Sequence, residues 1–463
     1  MSGKRQQTQR QLELSFEVGR AATAADPAPR RAEPPAAKRE AEGPASIEPL
    51  MEEVCERENL KKALKQVKSN GGGPGVDRMT VEKLPGHLAK HWPAIRERLF
   101  AGTYEPQPVK RVEIPKAGGG VRKLGIPTVL DRFIQQAVLQ VLQKRWDRTF
   151  SEHSYGFRPG RSAHQAVLAA QQHIAAGHRF VVDLDLEKFF DRVNHDILMS
   201  RVARRIADKR LLGLIRGFLT AGVLENGLVG PTDEGTPQGG PLSPLLSNIM
   251  LDDLDRELAR RGLRFARYAD DCNIYVRSRR AGERVKKGIT DFLTKTLKLK
   301  VNEEKSAVAR PWERKFLGFT FSMDPAPKRR IAPKALDRFK DRIREITRRT
   351  RGIGIERMVQ ETATFLRGWN GYFGHCETPT LLRDLNSWVR RRLRCFLWRQ
   401  WKRGRRRFEE LRKRGVPPRN AAAVAGSPHG PWRIAASPPV NQALPDAYFA
   451  SLGLPTLAVR SAA

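Results

Sequence analysis

The sequence predicts an α+β fold, on two observations. Short β-prone runs alternate with segments of helical periodicity over residues 47–322, a pattern typical of mixed helices and strands around one body. Beyond residue 328 the periodicity is helical and the composition strongly basic. We therefore expect an α+β body followed by a helical, cationic segment.

The charge of the chain favours a polyanionic partner. Its 463 residues contain 86 Lys and Arg against 50 Asp and Glu, a formal net charge of +36. Such a surplus points to nucleic acid, because neutralised phosphates release condensed counterions; the alternative is a merely soluble, highly charged surface. We expect no membrane partner, because no apolar run approaches the length that spans a bilayer.

The cysteines and the N-terminus predict a cytoplasmic location. The four cysteines are scattered and form no Cys-x-x-Cys pair, which argues against a disulfide framework and a zinc ribbon. The N-terminus is basic but has no apolar stretch of a secretory signal.

The first segments follow from composition. Residues 1–46 are rich in Ala, Pro, Gln, Arg and Glu without apolar periodicity, so we expect disorder there. A helix is then predicted because five apolar residues recur at helical spacing: Leu50, Val54, Leu60, Leu64 and Val67. It should stop at the glycine-rich residues 69–75.

Residues 112–127 predict a β-hairpin with a glycine tip. Lys110, Lys116 and Arg122 lie along it and could converge on a triphosphate, for which cationic side chains are effective ligands. The alternative is an exposed hairpin with ordinary surface charge.

Residues 180–191 read as an acidic strand that runs into two phenylalanines. Asp183 and Asp185 project from the same face, because side chains alternate along a strand. They could line a cation site with carboxylates from a neighbouring element, or simply form salt bridges on an exposed face.

Residues 234–245 predict a rigid, glycine-containing loop before a helix that begins near Leu245. The consecutive Gly239 and Gly240 would let the backbone approach a ligand closely. The loop could support a nucleotide or template base, or could be only a lead-in to the helix.

Residues 263–276 read as a second hairpin, with Tyr-Ala-Asp-Asp at 268–271 near its tip. The adjacent carboxylates of Asp270 and Asp271 repel each other, and a bound cation would relieve the repulsion. Mg²⁺ binds a few carboxylates together with substrate phosphates, and two such ions can hold the attacking and leaving oxygens of a phosphoryl transfer. A polar Asx-type turn is the alternative.

The basic segment at 328–414 interleaves cations with aromatics, most densely at 390–403. Its apolar residues suit a core helix, and its basic residues favour contact with structured nucleic acid.

The order of these blocks resembles the reverse transcriptases of bacterial group II introns. The matching blocks, in family order, lie at residues 73–77, 154–162, 180–191, 237–244, 268–271, 301–306 and 316–319. Gly-Trp-Asn-Gly-Tyr-Phe at 368–373 also resembles the maturase, or thumb, segment. The likeness covers roughly residues 48–463. Several blocks that occur together in the family's order are specific for this family.

The resemblance implies a right-hand polymerase with fingers, an antiparallel palm, a helical thumb and a small basic C-terminal domain. The fingers and palm would occupy residues 47–325, the thumb or maturase domain 326–414, and a DNA- or RNA-binding segment 415–463. Implied partners are intron RNA as template and splicing substrate, target DNA or primer, and dNTPs. The oligomeric state stays open.

The resemblance also implies roles for site residues. Asp185, Asp270 and Asp271 would be the catalytic ligands of two Mg²⁺ ions, although whether Asp183 shares the metal site stays open. Asp185 precedes Phe190 by five residues, the family spacing between catalytic Asp and aromatic steric gate. The positions implied for nucleotide binding are Lys110, Lys116, Arg122, Phe190 and Gln238.

Two departures from the family are visible. The paired cysteines of its C-terminal endonuclease are absent, so the chain resembles the class C enzymes, which lack that nuclease. The N-terminal tail is extra and has no assigned role.

The implied function is RNA-directed DNA synthesis with maturase activity in splicing and retromobility, in a bacterial cytoplasm and at the nucleoid when DNA is the target. Alternatives are a domesticated enzyme in DNA repair or phage defence, and an RNA-binding splicing cofactor with incidental polymerisation.

Overall fold

The structure is a computed structural model that describes residues 49–115, 121–225, 228–230, 234–235 and 239–460. The predicted disordered tail, Lys116, Gln238 and the side chain of Arg122 lie outside this description. The chain divides into two compact units, residues 49–173 with 177–309, and residues 310–460 with 174–176. The two units meet in sequence at 309/310, before the palm–thumb boundary that we predicted at 325/326. The domain boundary at 325/326 stays a prediction.

The helices up to residue 309 are α1 (Leu50–Val54), α2 (Arg57–Asn70), α3 (Leu84–Ala101), α4 (Val129–Asp147), α5 (Ala163–Ala175), α6 (His195–Ala203), α7 (Lys209–Thr220), α8 (Ser243–Arg260) and α9 (Arg279–Thr296). These helices, other than α5, contribute to one apolar core. The strands of the first unit are β1 (Val109–Pro115), β2 (Val121–Ile126), β3 (Phe180–Leu184), β4 (Val223–Glu225), β5 (Leu228–Gly230), β6 (Arg264–Tyr268), β7 (Asp271–Val276) and β8 (Ala307–Ala309).

The predicted N-terminal helix is confirmed, but as two pieces. Helix α1 ends at Val54 with Cys55 as its C-cap, and α2 begins after Glu56, whose backbone is extended. Helix α2 stops at Gly71 with φ 61°, a left-handed value that glycine adopts without strain. The glycine-rich stretch therefore ends the helix where the sequence predicted.

Two sheets organise the first unit. The predicted 112–127 hairpin is confirmed as β1 paired with β2, in a sheet ordered β2-β1-β4-β5 where β1 and β4 run parallel. The second sheet is antiparallel throughout and has the order β6-β7-β3-β8. Its central strand β3 is the predicted acidic strand, and its β6–β7 pair is the predicted second hairpin.

One face of the antiparallel sheet packs on the main apolar cluster. Val182, Leu184 and Ile274 lie on that face in the same apolar cluster as Phe133 of α4 and Leu251 of α8. Full burial of such a side chain stabilises the fold by about 1.5–3 kcal/mol. Because side chains alternate, the residues between them, including Asp183, emerge on the opposite face.

The second unit is mainly helical. Its elements are β9 (Phe319–Phe321), β10 (Arg329–Ile331), α10 (Pro333–Ile346), α11 (Ile355–Phe373), α12 (Pro379–Gln400), α13 (Gly404–Lys413), α14 (Pro418–Ala425), α15 (Pro431–Ile434), α16 (Pro438–Ala443) and α17 (Asp446–Ser451). The apolar face of α10 is buried at Phe339, Ile343 and Ile346. The centroid of the Phe339 ring lies 4.5 Å from that of Trp369. None of the helices in the described ranges is long and apolar enough to cross a membrane.

Candidate active site

The Asp-Asp hairpin has a tight turn under backbone strain. Tyr268 pairs with Asp271, so Ala269 and Asp270 form a two-residue loop. Such loops demand positive φ angles and normally use Gly, Asn or Asp. Ala269 nevertheless has φ 56°, at a cost of about 1–2 kcal/mol for an L-residue. Strained backbone of this kind is typical of functional sites.

The acidic strand brings a third carboxylate to this turn. Leu184 pairs with Cys272, so the next step in the antiparallel register puts Asp185 opposite Asp271, on the same face of the sheet. The Asp185 N–H donates to Ser306 Oγ at 2.9 Å, and its carbonyl accepts from the Asn302 N–H at 2.8 Å. The backbone that carries Asp185 is therefore fixed by residues of the 301–306 block.

Asp183 lies on the same face, one step further from the turn. It pairs with Asn273 in β7, so two residues of strand, roughly 7 Å, separate it from the level of Asp185 and Asp271. By register, Asp185 is the better placed of the two to act with the turn.

The donor set suits a hard divalent cation, because three carboxylates supply only oxygen ligands. Asp185, Asp270 and Asp271 are all partly exposed to solvent. Among the described residues, however, no three His, Cys, Asp or Glu side chains are already gathered as a metal cage. The fit therefore rests on the ligand chemistry and on strand register.

A buried arginine holds the turn from inside the fold. The Arg267 side chain is fully buried, and it donates to both carboxylate oxygens of Asp255 at 2.7 Å. The same guanidinium donates to the Ala269 carbonyl at 2.9 Å, to Asn248 Oδ1 at 3.0 Å and to Ser154 Oγ at 2.7 Å. The strained residue is thus tied to α8 and to the 154–162 block.

Sequence reasoning missed this network, although one signal was available. Asp255 lies four residues after Leu251 and three before Leu258, and both leucines are buried. An acid on the apolar stripe of a helix needs a buried partner. β6 contains two arginines, of which Arg264 is exposed and Arg267 is buried.

The 154–162 block packs directly on the turn at Gly156. A Cβ at Gly156 would overlap the backbone nitrogen of Ala269, and the Gly156 carbonyl accepts from Asn248 Nδ2 at 2.8 Å. Only glycine lets the two backbones approach this closely.

We expect Gly156→Ala to lower the free energy of unfolding by about 1–3 kcal/mol, because one of the two backbones must move. Urea unfolding followed by circular dichroism measures this change. Gly213→Ala is the matched control: the site is open and lies within α7, where Ala is favoured by about 0.5–1 kcal/mol. Equal stability of Gly156→Ala and the parent chain would contradict the packing described.

The predicted gate residue follows the acidic strand. Phe190 lies in a 3₁₀ turn, Phe189–Asp191, after Lys188 with φ 49°. Its ring is partly buried and lies 5.2 Å from that of Phe189. Gly235 with φ +93° packs against the Phe190 carbonyl, where a Cβ would come within 2.8 Å. His195 Nε2 contacts the Gly235 carbonyl at 2.6 Å.

The cationic hairpin brings two of its predicted residues onto one face. Lys110 pairs with Ile126, and Ile114 pairs with Arg122. Lys110 and the Arg122 position therefore share a face but stand roughly 13 Å apart along the strands. The opposite face is occupied by an ion pair in which Arg111 and Lys123 contact Glu225 at 2.9 and 3.5 Å.

The glycine-containing loop meets this hairpin. A Cβ at Gly239, which has φ +140°, would lie 2.5 Å from the carbonyl oxygen of Gly125 in β2. A Cβ at Gly240 would overlap the side chain of Gln135 in α4. Glycine is therefore required at 239, where the contact is with backbone, whereas a side chain at 240 would need the end of the Gln135 side chain to move.

The remaining polar groups beside the turn stay neutral. Burial raises the pKa of the Cys272 thiol far above its usual range, and Cys272 belongs to the apolar cluster. Burial also raises the pKa of the Tyr268 phenol. Neither group therefore supplies an anionic ligand at neutral pH.

In the second unit, the basic segment divides between structural and exposed cations. Arg390 and Arg394 of α12 are buried and pair with Asp446 at 3.1 and 3.2 Å. The cations that follow are exposed: Arg399, Lys402, Arg403, Arg405 and Arg406. Within residues 390–406, the cations that could contact nucleic acid are therefore those at 399–406.

Two families match separate parts of the chain. Residues 114–321 match the family described as Reverse transcriptase (RNA-dependent DNA polymerase). Residues 336–415 match the Group II intron, maturase-specific domain.

Individual proteins are similar over parts of the chain. Protein YkfC of Escherichia coli is 34% identical over 302 residues, 57% of this chain and 79% of YkfC. The group II intron-encoded protein LtrA of Lactococcus lactis is 41% identical over 174 residues, 37% of this chain and 29% of LtrA. The chain thus spans less than a third of LtrA. Among solved structures, a partial Cas6-RT-Cas1–Cas2 complex matches with a TM-score of 0.36 and 22% identity, over 54% of this chain and 43% of the other.

Proposed function

Because the chain belongs to the family of group II intron-encoded reverse transcriptases and maturases, we propose that it extends a primer 3′-hydroxyl along an RNA template with deoxynucleotides. The carrying observation is the alignment of Asp185 with Asp271 at the strained turn that holds Asp270. Carboxylates from two strands on one face are what two-metal nucleotidyl transfer requires.

Reverse transcriptases use divalent metal ions, and we propose that here Asp185, Asp270 and Asp271 hold two Mg²⁺. When bound, such ions lower the pKa of the attacking hydroxyl and neutralise the leaving pyrophosphate. The protein holds the three carboxylates in position. The buried Arg267 fixes the turn, and Ser306 and Asn302 fix the backbone of Asp185.

Nucleotide selection would fall to the groups around this centre. We propose that Lys110, Lys116 and Arg122 bind the triphosphate, that Gln238 borders the incoming nucleotide, and that Phe190 excludes a ribose 2′-hydroxyl. The support is that Lys110 and the Arg122 position share one hairpin face, while Gly239, next to Gln238, packs on β2 of the same hairpin.

The family implies RNA binding, and we propose that its specific form is binding to the parent intron RNA. The exposed cations from Arg399 to Arg406 support this assignment, because structured RNA is held mainly through its backbone. We assign fingers and palm to residues 47–325, thumb to 326–414 and a nucleic-acid-binding segment to 415–463. Action in the bacterial cytoplasm and at the nucleoid fits four free, buried cysteines.

Primer extension tests this proposal directly. A labelled DNA primer is annealed to an RNA template and incubated with the chain, dNTPs and Mg²⁺. We expect extension to the template end, and loss of extension when EDTA removes the metal. Binding of the primer–template without extension under any divalent ion would overturn the proposed activity.

The gate assignment predicts altered sugar selection. We expect Phe190→Val to raise rNTP incorporation relative to dNTP incorporation by about tenfold or more, because removing steric bulk opens space for the 2′-hydroxyl. Single-nucleotide extension kinetics with each nucleotide class measure the ratio. Phe189→Leu is the control, since Phe189 is buried in the core, and should leave the ratio unchanged. An unchanged ratio of rNTP to dNTP incorporation in Phe190→Val would contradict the assignment of Phe190 as the steric gate.

A maturase role is the second function that an observation favours. The match of residues 336–415 to the maturase-specific domain supports assistance to intron splicing. A splicing assay with the intron RNA encoded around this chain tests it: we expect faster splicing with the protein than without. An absence of flanking intron sequences would instead favour a domesticated enzyme.

A further inference from the structure

An exposed aromatic ring stands beside the Asp-Asp turn with no role in the function proposed so far. Phe157 is 48% exposed and has φ 56°. Both properties are unfavourable for a bulky apolar residue, because positive φ strains the backbone and exposure leaves the ring in water. A fold keeps such a residue most readily when the ring has a partner.

The backbone on both sides of Phe157 is fixed. On one side, the Gly156 carbonyl accepts from buried Asn248 at 2.8 Å. On the other, the guanidinium of Arg158 is buried; it donates to Asp147 Oδ1 at 2.8 Å and to the carbonyls of Ser151 and Ser154 at 2.6 and 2.8 Å. The ring is therefore held outward by its neighbours and does not lie on a loose loop.

The position of the ring relates it to the catalytic turn. Its centroid lies 6.1 Å from that of Tyr268, with the planes inclined at 45°. Tyr268 directly precedes the strained turn, and Gly156 packs on Ala269. Phe157 and Tyr268 thus form an aromatic edge beside the turn that carries Asp270 and Asp271, and about half of the Phe157 side chain is exposed.

We propose that Phe157 packs against the 3′-terminal nucleotide of the primer and holds that end in line with Asp270 and Asp271. This inference rests on the proposed function, which brings the primer hydroxyl to the same turn. An aromatic face suits this ligand because stacking on a base tolerates every base, as a polymerase primer end requires. The rigid backbone makes the contact pre-organised, so little conformational freedom is lost on binding.

Binding measurements with Phe157→Ala test the contact. Fluorescence anisotropy with a labelled DNA primer annealed to RNA template gives the dissociation constant in Ca²⁺, without chemistry. We expect Phe157→Ala to weaken this binding about tenfold, the scale of one lost stacking contact. Binding of the same template RNA without primer should change by less than about twofold, within ordinary variation of a surface change.

Three further variants separate the ring from the backbone. Phe157→Tyr keeps the ring and should bind like the parent chain. Phe157→Gly relieves the positive φ but removes the ring, and should bind as weakly as Phe157→Ala. Leu168→Ala removes another exposed apolar side chain, on α5, and should have no effect.

The contact is overturned if Phe157→Ala binds primer–template like the parent chain, or if template RNA alone loses affinity equally. Weak binding by Phe157→Tyr would equally rule out a role of the ring. Because the readout is binding, these results are distinct from a failure of the proposed function, which the parent chain would reveal by making no DNA.

Discussion

Replacing Asp270 by Asn will reduce DNA synthesis by about 10³-fold or more, and Asp271→Asn will do the same. Each substitution removes a negative oxygen ligand, and bound metal contributes several kcal/mol of transition-state stabilisation; a loss of about 4 kcal/mol corresponds to about 10³ in rate. Steady-state primer extension on an RNA template measures the change.

The neighbouring acids supply a matched comparison. Asp185→Asn should be as damaging as the hairpin substitutions, because its position aligns with Asp271. Asp183→Asn, one step further along the same face, should retain most of the activity. The reverse order would place the third ligand at Asp183.

RNA binding provides the control for folding. We expect each of these Asn variants to bind intron RNA like the parent chain and to assist splicing, because the exposed cations of residues 399–406 are untouched. If splicing assistance disappeared together with DNA synthesis, the proposed separation of the two roles would be wrong.

Removal of one partner from the buried Arg267–Asp255 pair will destabilise the fold strongly. We expect Asp255→Asn to lower the free energy of unfolding by about 3–5 kcal/mol, because it leaves a fully buried guanidinium without its counter-charge. The midpoint of urea unfolding should shift accordingly. Arg260→Ala is the control, because the Arg260 side chain is exposed and Glu257 on the same helix keeps Arg261 as a second partner; it should leave the midpoint unchanged.

A double substitution separates packing from positioning. Arg267→Met with Asp255→Leu replaces the pair by apolar side chains and should recover much of the stability. It should not recover DNA synthesis, because the Ala269 carbonyl loses its donor. A stable double variant with parental synthesis would show that Arg267 only fills space.

The sequence predicts the strands of this site well, but it does not predict the residues that pack against the turn and hold it. The acidic strand and the hairpin follow from alternation and from turn residues. That Asp185 rather than Asp183 aligns with Asp271 is a matter of register, and register depends on the partner strand, which alternation within one strand does not specify.

The supports depend on contacts between residues distant in the sequence. Gly156 and Ala269 are 113 positions apart. The sequence around Gly156 does not indicate that the backbone of Ala269 packs against it. The break of the first helix at Cys55 was missed for the opposite reason, because apolar spacing continues across it. Asp255 gave a signal in the sequence, an acid on the apolar stripe of α8, but only the fold shows that its partner is Arg267.

The inward anchoring of the turn has a consequence for laboratory evolution of this enzyme. Arg267 secures the turn through Ser154, Asn248 and Asp255, and all four residues are buried. Randomised libraries that spare these positions can explore the solvent-facing surface without loosening the reaction centre. In selections for new templates or higher working temperatures, we therefore expect the beneficial substitutions to occur at residues other than these four.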